Sequence, residues 1–147
     1  MALQEVMNMT SHPDANRRRL LILDDEPIVC KRLKPALQKL GYTVETFTDS
    51  ASAMARLHEE SFAVVITDLK MEGVDGMQVL ARVKEISPAT RVVVITGFAT
   101  METARESYRK GAFDFIAKPF KLSDLIECVR RTGAESDDEA TREANRQ

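Results

Sequence analysis

The sequence predicts an α/β fold, a doubly wound parallel sheet of five strands with five helices on its two faces. Short continuous apolar runs are typical of strands buried on both faces. Here they alternate with segments whose apolar residues recur at helical spacing. Strands that alternate with helices form parallel sheets, because each crossover helix returns the chain to the same end of the sheet. Right-handed crossovers then leave only a few strand orders.

Apolar runs define the strands, and helix signals fall between them. The predicted strands cover residues 20–23, 42–47, 62–67, 91–96 and 113–117. The helices are expected to begin near residues 27, 50, 77, 100 and 123. Pro27 suits a first helical turn, and Pro35 interrupts the interior of the same helix. Gly41 and Gly111 are suitable helix stops, and residues 71–76 are predicted as a loop with two glycines.

One folded domain is expected from a length of 147 residues and an apolar fraction of 44%. We assign residues 1–18 to a polar leader and 19–132 to the domain. Residues 133–147 are assigned to an acidic polar tail or to the start of a linker. This segment is expected to be either a frayed extension of the last helix or disordered. Cys30 and Cys128 lie in helix-like apolar patterns and are predicted to be reduced core thiols.

Charge and hydropathy argue against two classes of partner. A formal net charge of -2, with acids and bases interspersed, gives no broad cationic field, so direct nucleic-acid binding is not expected. No apolar run has the length of a signal-peptide core or of a bilayer span. We therefore expect no membrane insertion and a cytoplasmic location.

Polar side chains lie at the carboxyl ends of four of the five predicted strands. Asp24 and Asp25 follow the first strand, Asp68 the third and Lys118 the fifth, while Thr96 ends the fourth. Parallel strands bring these positions to one carboxyl edge, where open α/β sheets bind ligands. Three carboxylates, one lysine and one hydroxyl suit a divalent cation and a phosphoryl group. Oxygen ligands favour Mg²⁺, with Mn²⁺ as the alternative, over zinc.

Each of these residues has a structural alternative when it is taken alone. Asp25 could cap the first helix, and Asp68 could form an Asx turn at the end of its strand. Thr96 could be an ordinary β-branched strand residue, and Lys118 a surface lysine. Their coincidence at one sheet edge favours a functional site.

Around these positions the sequence resembles the receiver domain of two-component response regulators. The resemblance covers residues 19–132 and is closest to receivers of the nitrogen-regulation type at residues 111–120. Its motifs are Leu-Asp-Asp-Glu-Pro at 23–27, Ile-Thr-Asp-Leu-Lys-Met at 66–71, Asp-Gly at 75–76, Ile-Thr-Gly at 95–97, and Gly-Ala-Phe-Asp-Phe-Ile-Ala-Lys-Pro-Phe at 111–120.

The resemblance implies a flavodoxin-like strand order of 2-1-3-4-5 and a role for each site residue. Asp68 would accept a phosphoryl group from a sensor histidine kinase or a phosphotransfer protein. Lys118 and Thr96 would hold the phosphoryl oxygens. The resemblance also implies a cis peptide bond between Lys118 and Pro119. The implied Mg²⁺ ligands are Asp25, Asp68, the backbone carbonyl of Lys70 and, through a water molecule, Asp24. The chain would catalyse its own phosphorylation and dephosphorylation.

The resemblance also implies a switch and an output surface. Phe115 occupies the position of the switch aromatic, and because many relatives have tyrosine there, a switch based on a hydroxyl is not available here. The fourth helix, fifth strand and fifth helix would contact a partner or a second copy. Lys70 and Phe98 would flank the approach of a hydrolytic water, and neither carries a carboxylate or amide that could orient it.

Three other functions are weaker interpretations of the same residues. A Mg²⁺-dependent phosphohydrolase commonly has two aspartates separated by one residue, but Asp24 and Asp25 are adjacent. A flavin carrier would need a phosphate-binding loop after the first strand, and a pseudo-receiver would lack one of the site residues. An N-terminal regulatory fragment of a larger transcriptional regulator stays open as an alternative.

Overall fold

A five-stranded parallel sheet organises the chain in the computed structural model, which describes residues 18–71 and 74–145. The strands are β1 Arg19–Leu23, β2 Thr43–Phe47, β3 Val64–Asp68, β4 Arg91–Thr96 and β5 Asp114–Ala117. Their order in the sheet is β2-β1-β3-β4-β5, and every neighbouring pair is parallel. The predicted flavodoxin-like α/β fold is confirmed. Residues 1–17 of the predicted leader lie outside the described residues.

Five helices connect and follow these strands. They are α1 Pro27–Gln38, α2 Ser50–Glu59, α3 Gly76–Ile86, α4 Met101–Arg109 and α5 Leu122–Asn145. Pro35 lies inside α1, which continues past it to Gln38. Helix α5 continues well beyond residue 132, in keeping with the helix-extension alternative for the C-terminal segment.

The predicted loop at residues 71–76 contains a small element that the sequence did not indicate. Lys70–Met71 pairs antiparallel with Val74–Asp75, and Gly76 N donates a hydrogen bond to Leu69 O at 2.7 Å. Two-residue strands give too few side chains for a period-2 pattern, so they cannot be recognised from hydropathy. The pairing turns the chain sharply after β3.

Two apolar clusters cover the two faces of the sheet. Leu21 and Leu23 of β1 pack with side chains of α2 and α3, whereas Leu20 and Ile22 pack with α1 and α5. The continuous apolar run in β1 is therefore buried on both faces, as expected for a central parallel strand. Cys30 and Cys128 are buried free thiols in the second cluster, as predicted.

Gly76 is the position where the backbone after β3 passes closest to α3. A Cβ atom there would lie 2.3 Å from Leu69 Cα and from Leu69 O, and backbone atoms cannot yield without moving the chain. We expect Gly76→Ala to lower the free energy of unfolding by about 1–3 kcal/mol or more, as overpacking does. Urea denaturation measures this change.

The matched control is Gly97→Ala, because a Cβ atom at Gly97 meets nothing within 4 Å. Its effect should stay within about 0.5 kcal/mol, which is typical of surface substitutions. Equal stability of Gly76→Ala and the wild-type protein would contradict the close approach of Leu69 to Gly76.

Candidate functional site

Lys118 gathers three acidic side chains at the carboxyl edge of the sheet. Its Nζ donates hydrogen bonds to Asp24 Oδ2 and Asp68 Oδ2, both at 2.8 Å, and to Glu26 Oε1 at 3.1 Å. Asp24 follows β1, Asp68 ends β3 and Lys118 follows β5, so residues far apart in sequence meet as the strand order requires. Sequence reasoning missed Glu26, although it lies in the motif at residues 23–27.

Backbone hydrogen bonds fix the segments that carry these side chains. Asp24 Oδ1 accepts from Glu26 N at 2.9 Å, and Asp68 Oδ1 accepts from Lys70 N at 3.0 Å. Lys118 N donates to Thr96 O at 2.8 Å, which attaches the loop after β5 to the end of β4. The peptide bond between Lys118 and the following proline is cis, as the resemblance implied.

Burial and pairing shift the ionisation of the central groups. Burial raises the pKa of the Asp24 carboxyl, and the hydrogen bond from Lys118 opposes this rise only in part. Burial alone would lower the pKa of Lys118, but its hydrogen bonds to the three carboxylates outweigh this and raise it. Lys118 is therefore a permanent cation in this site.

The acidic side chains are close enough to share one divalent cation. Carboxylate oxygens of Asp24, Asp25, Glu26 and Asp68 all lie within 4.8 Å of one another. Four carboxylates against one lysine leave an excess of negative charge, and hard oxygen donors suit Mg²⁺. The donor set thus fits a Mg²⁺ ion, in keeping with the sequence-based expectation.

The remaining predicted residues lie on neighbouring strands and loops. Thr96 is buried at the end of β4, beside Ala117 of β5, and its Oγ1 accepts from Phe98 N at 3.1 Å. Lys70 Nζ lies 4.4 Å from the centroid of the Phe98 ring, a cation–π contact between the loops after β3 and β4. Phe115 is half-buried and packs against the cluster formed by α2 and α3.

A second polar cluster, which the sequence did not indicate, joins α4, β5 and α5. Asp114 of β5 accepts hydrogen bonds from Tyr108 Oη at 2.9 Å and from Arg131 NH2 at 2.7 Å. Cys128 Sγ lies 3.3 Å from the same carboxylate. Hydrogen bonds hold the pKa of Asp114 below its ordinary value even though burial alone would raise it. This cluster connects both helices to the strand that carries Phe115.

No helix in the described part of the chain combines the length and the apolar character needed to cross a bilayer.

Comparison with known proteins agrees with this geometry. CpdR, a response regulator receiver protein of Brucella abortus, is 35% identical over 114 residues, which are 78% of this chain and 95% of CpdR. The transcriptional regulator NtrC of Escherichia coli is 30% identical over 110 residues, 75% of this chain but only 24% of NtrC. The chain therefore spans about a quarter of that regulator's length.

A solved structure gives the same result in three dimensions. The beryllofluoride-activated NtrC4 receiver domain dimer superposes with a TM-score of 0.76 at 31% identity, covering 80% of this chain and 98% of that one. Residues 20–130 match the family described as the response regulator receiver domain. The chain belongs to the response regulator receiver domain family and is a phosphoacceptor module of two-component signalling.

Proposed function

We propose that Asp68 accepts the phosphoryl group and that its phosphorylation reshapes the surface formed by α4, β5 and α5. The observation that supports Asp68 most directly is its position against Lys118, with a side chain that is only 6% exposed. A carboxylate oxygen attacks the phosphorus of a phosphohistidine on a sensor kinase or phosphotransfer protein. An O–P bond forms, the P–N bond breaks, and its electron pair stays on the imidazole nitrogen.

The neighbouring residues stabilise the charge of the transferred group. Lys118 donates to a phosphoryl oxygen as a fixed cation, and the Thr96 hydroxyl donates to another. A Mg²⁺ ion held there would supply positive charge against the negative charge that the acceptor and the phosphoryl group share. Its proposed ligands are Asp25, Asp68, the backbone carbonyl of Lys70 and, through water, Asp24. Positioning and charge neutralisation are what phosphoryl transfer needs.

The signal leaves the site through Phe115 and α4. When Thr96 turns towards the phosphoryl group, space opens under β4. The half-buried Phe115 ring can then turn inward, and the hydrophobic effect favours this by about 25 cal/mol for each Å² of ring surface removed from water. Helix α4 has a single buried residue, Ser107. The helix can therefore be displaced with little loss of apolar contact. The surface then contacts a partner or a second copy of the chain.

Beryllofluoride with Mg²⁺ is expected to shift the amide NMR signals of α4 and of residues 110–120 in the wild-type protein. In Phe115→Ala the shifts near Asp68 should remain, but those on α4 should shrink, because the ring that transmits the change is gone. Wild-type protein whose signals move near Asp68 and not at residues 110–120 would contradict this switch.

The relatives are compatible with two modes of output. CpdR, of which the chain covers 95%, is described as a response regulator receiver protein, and output through protein contacts alone is the first mode. The chain covers 24% of NtrC, as expected if it is the regulatory part of a larger transcriptional regulator. Both modes use the same phosphoacceptor, and for both we propose a cytoplasmic location.

A further inference from the structure

Lys118 has committed all of its hydrogen-bond donors to carboxylates. A lysine ammonium carries three N–H donors and no acceptor. Those of Lys118 point to Asp24 and Asp68 at 2.8 Å and to Glu26 at 3.1 Å. A phosphoryl oxygen can therefore accept a hydrogen bond from Lys118 only when one of these three carboxylates releases the lysine N–H that it accepts.

Glu26 is the carboxylate that can leave at the lowest cost. The side chains of Asp24 and Asp68 are 0% and 6% exposed, whereas that of Glu26 is 58% exposed. A buried carboxylate that loses its partner bears the full penalty of desolvation, but an exposed one exchanges the bond for water. Asp68 itself changes when it is phosphorylated, because the oxygen that forms the O–P bond no longer carries a carboxylate charge, and the lysine donor that it held can turn to the phosphoryl group. Of the two carboxylates that keep their charge, Glu26 is the one that can release Lys118 at low cost.

We propose that Glu26 is a positioning residue that occupies one donor of Lys118 in the unphosphorylated protein and competes with the phosphoryl group for it. This inference rests on the proposed role of Asp68 and assigns a function to a residue that is neither the acceptor nor one of the Mg²⁺ ligands proposed above. Glu26 opposes loading in two ways, by competing for the lysine donor and by placing a negative charge beside an incoming anion. When a negative charge that is partly screened by water lies next to a bound anion, it is expected to weaken the binding of that anion by about fivefold.

The test is a beryllofluoride titration of the full chain at saturating Mg²⁺, followed by amide NMR. Glu26→Gln is expected to lower the half-saturating beryllofluoride concentration by about fivefold. The matched control is Glu85→Gln, which also removes one negative charge. Glu85 pairs on the surface of α3 with Arg82 at 3.7 Å and takes no part in the lysine network. The control should load as the wild-type protein does.

A second measurement follows Lys118 without any phosphoryl mimic. The ¹H–¹⁵N signal of its ammonium group should move in Glu26→Gln and stay in place in Glu85→Gln, because only the first substitution changes a hydrogen-bond partner. In a titration with Mg²⁺ alone, Glu26→Gln should bind no more than about fivefold more weakly than the wild-type protein, the loss expected for one partly solvated charge, and Glu85→Gln should bind as the wild-type protein does. The lysine signal reports the hydrogen bond itself, and the beryllofluoride titration reports whether that bond opposes loading.

Three outcomes overturn the inference. Loading of Glu26→Gln equal to that of the control contradicts the competition. Weaker loading together with Mg²⁺ binding weakened about tenfold or more instead means that Glu26 supports the cation, as a ligand or as a partner of a ligand. A folded wild-type protein that does not load beryllofluoride at all refutes the proposed function of Asp68, and the inference with it. Normal wild-type loading separates a failure of the Glu26 inference from a failure of the proposed function.

Discussion

Asp68→Asn is expected to abolish phosphorylation of this chain. Incubated with Mg²⁺ and acetyl phosphate, the wild-type protein should gain the mass of one phosphoryl group, whereas Asp68→Asn should gain none. The reason is chemical, because a neutral amide is a far weaker nucleophile than a carboxylate and cannot form an acyl phosphate. Removing Mg²⁺ with a chelator should suppress the wild-type gain, since the acidic side chains then repel the incoming anion.

The Asp68→Asn chain should keep its fold. The asparagine oxygen can still accept from the backbone N–H of Lys70, which donates to Asp68 at 3.0 Å. Lys118 keeps Asp24 and Glu26 as partners, so no buried cation is left alone. Loss of labelling in a protein with native amide signals therefore reports the chemistry of the acceptor.

Asp49→Asn is the matched control for this substitution. Asp49 caps α2, accepting from Ser52 N at 2.8 Å, and asparagine is an equally good cap. The control should be labelled as fast and as completely as the wild-type protein. Undiminished labelling of Asp68→Asn would mean that another group accepts the phosphoryl group, and the assignment of Asp68 would be wrong.

The sheet could be predicted from sequence because its strands are buried on both faces. The run at residues 91–96 is β-branched and apolar, and β4 spans Arg91–Thr96 as predicted. The acidic and basic site residues could be predicted for a related reason. A polar side chain directly after a buried strand reaches the sheet edge whatever the details of packing, which places Asp24, Asp68 and Lys118 together.

Contacts between side chains on different loops could not be predicted in the same way. Glu26 reaches Lys118 across 92 residues of sequence, and only the angle between the loops after β1 and β5 makes the contact possible. The cluster around Asp114 depends likewise on how α4 and α5 approach β5. Hydropathy periodicity reports which face of an element is buried, and not which side chain on a neighbouring element it meets.

The lifetime of the phosphorylated state is expected to shorten when Phe98 is replaced by glutamate or Lys70 by asparagine. Hydrolysis of an acyl phosphate needs a water molecule in line with the breaking bond. Lys70 Nζ lies 4.4 Å from the centroid of the Phe98 ring, so the loops after β3 and β4 touch through these two side chains, and we expect the pair to act as a lid over the approach to Asp68. Neither can act as a base, and Phe98, which is 57% exposed, presents an apolar surface to the solvent.

Each substitution replaces one of the two lid side chains, Phe98 or Lys70, with a group that can orient water. A positioned carboxylate supports general-base catalysis, so Phe98→Glu should shorten the lifetime by about 100-fold, the lower end of what a positioned base contributes, measured as loss of label after the donor is removed. Lys70→Asn adds an amide that can orient water without taking a proton, and its effect should be smaller.

Phe98→Leu separates the two physical causes of slow hydrolysis. Leucine keeps the apolar cover and removes only the cation–π contact, which is worth about 0.5–1 kcal/mol at an exposed site. Its lifetime should therefore stay close to that of the wild-type protein. A leucine variant as short-lived as Phe98→Glu would mean that the position of Lys70, held by the ring, controls the rate. If Phe98→Glu and Lys70→Asn both live as long as the wild-type protein or longer, these two side chains do not control the access of water to the phosphoryl group.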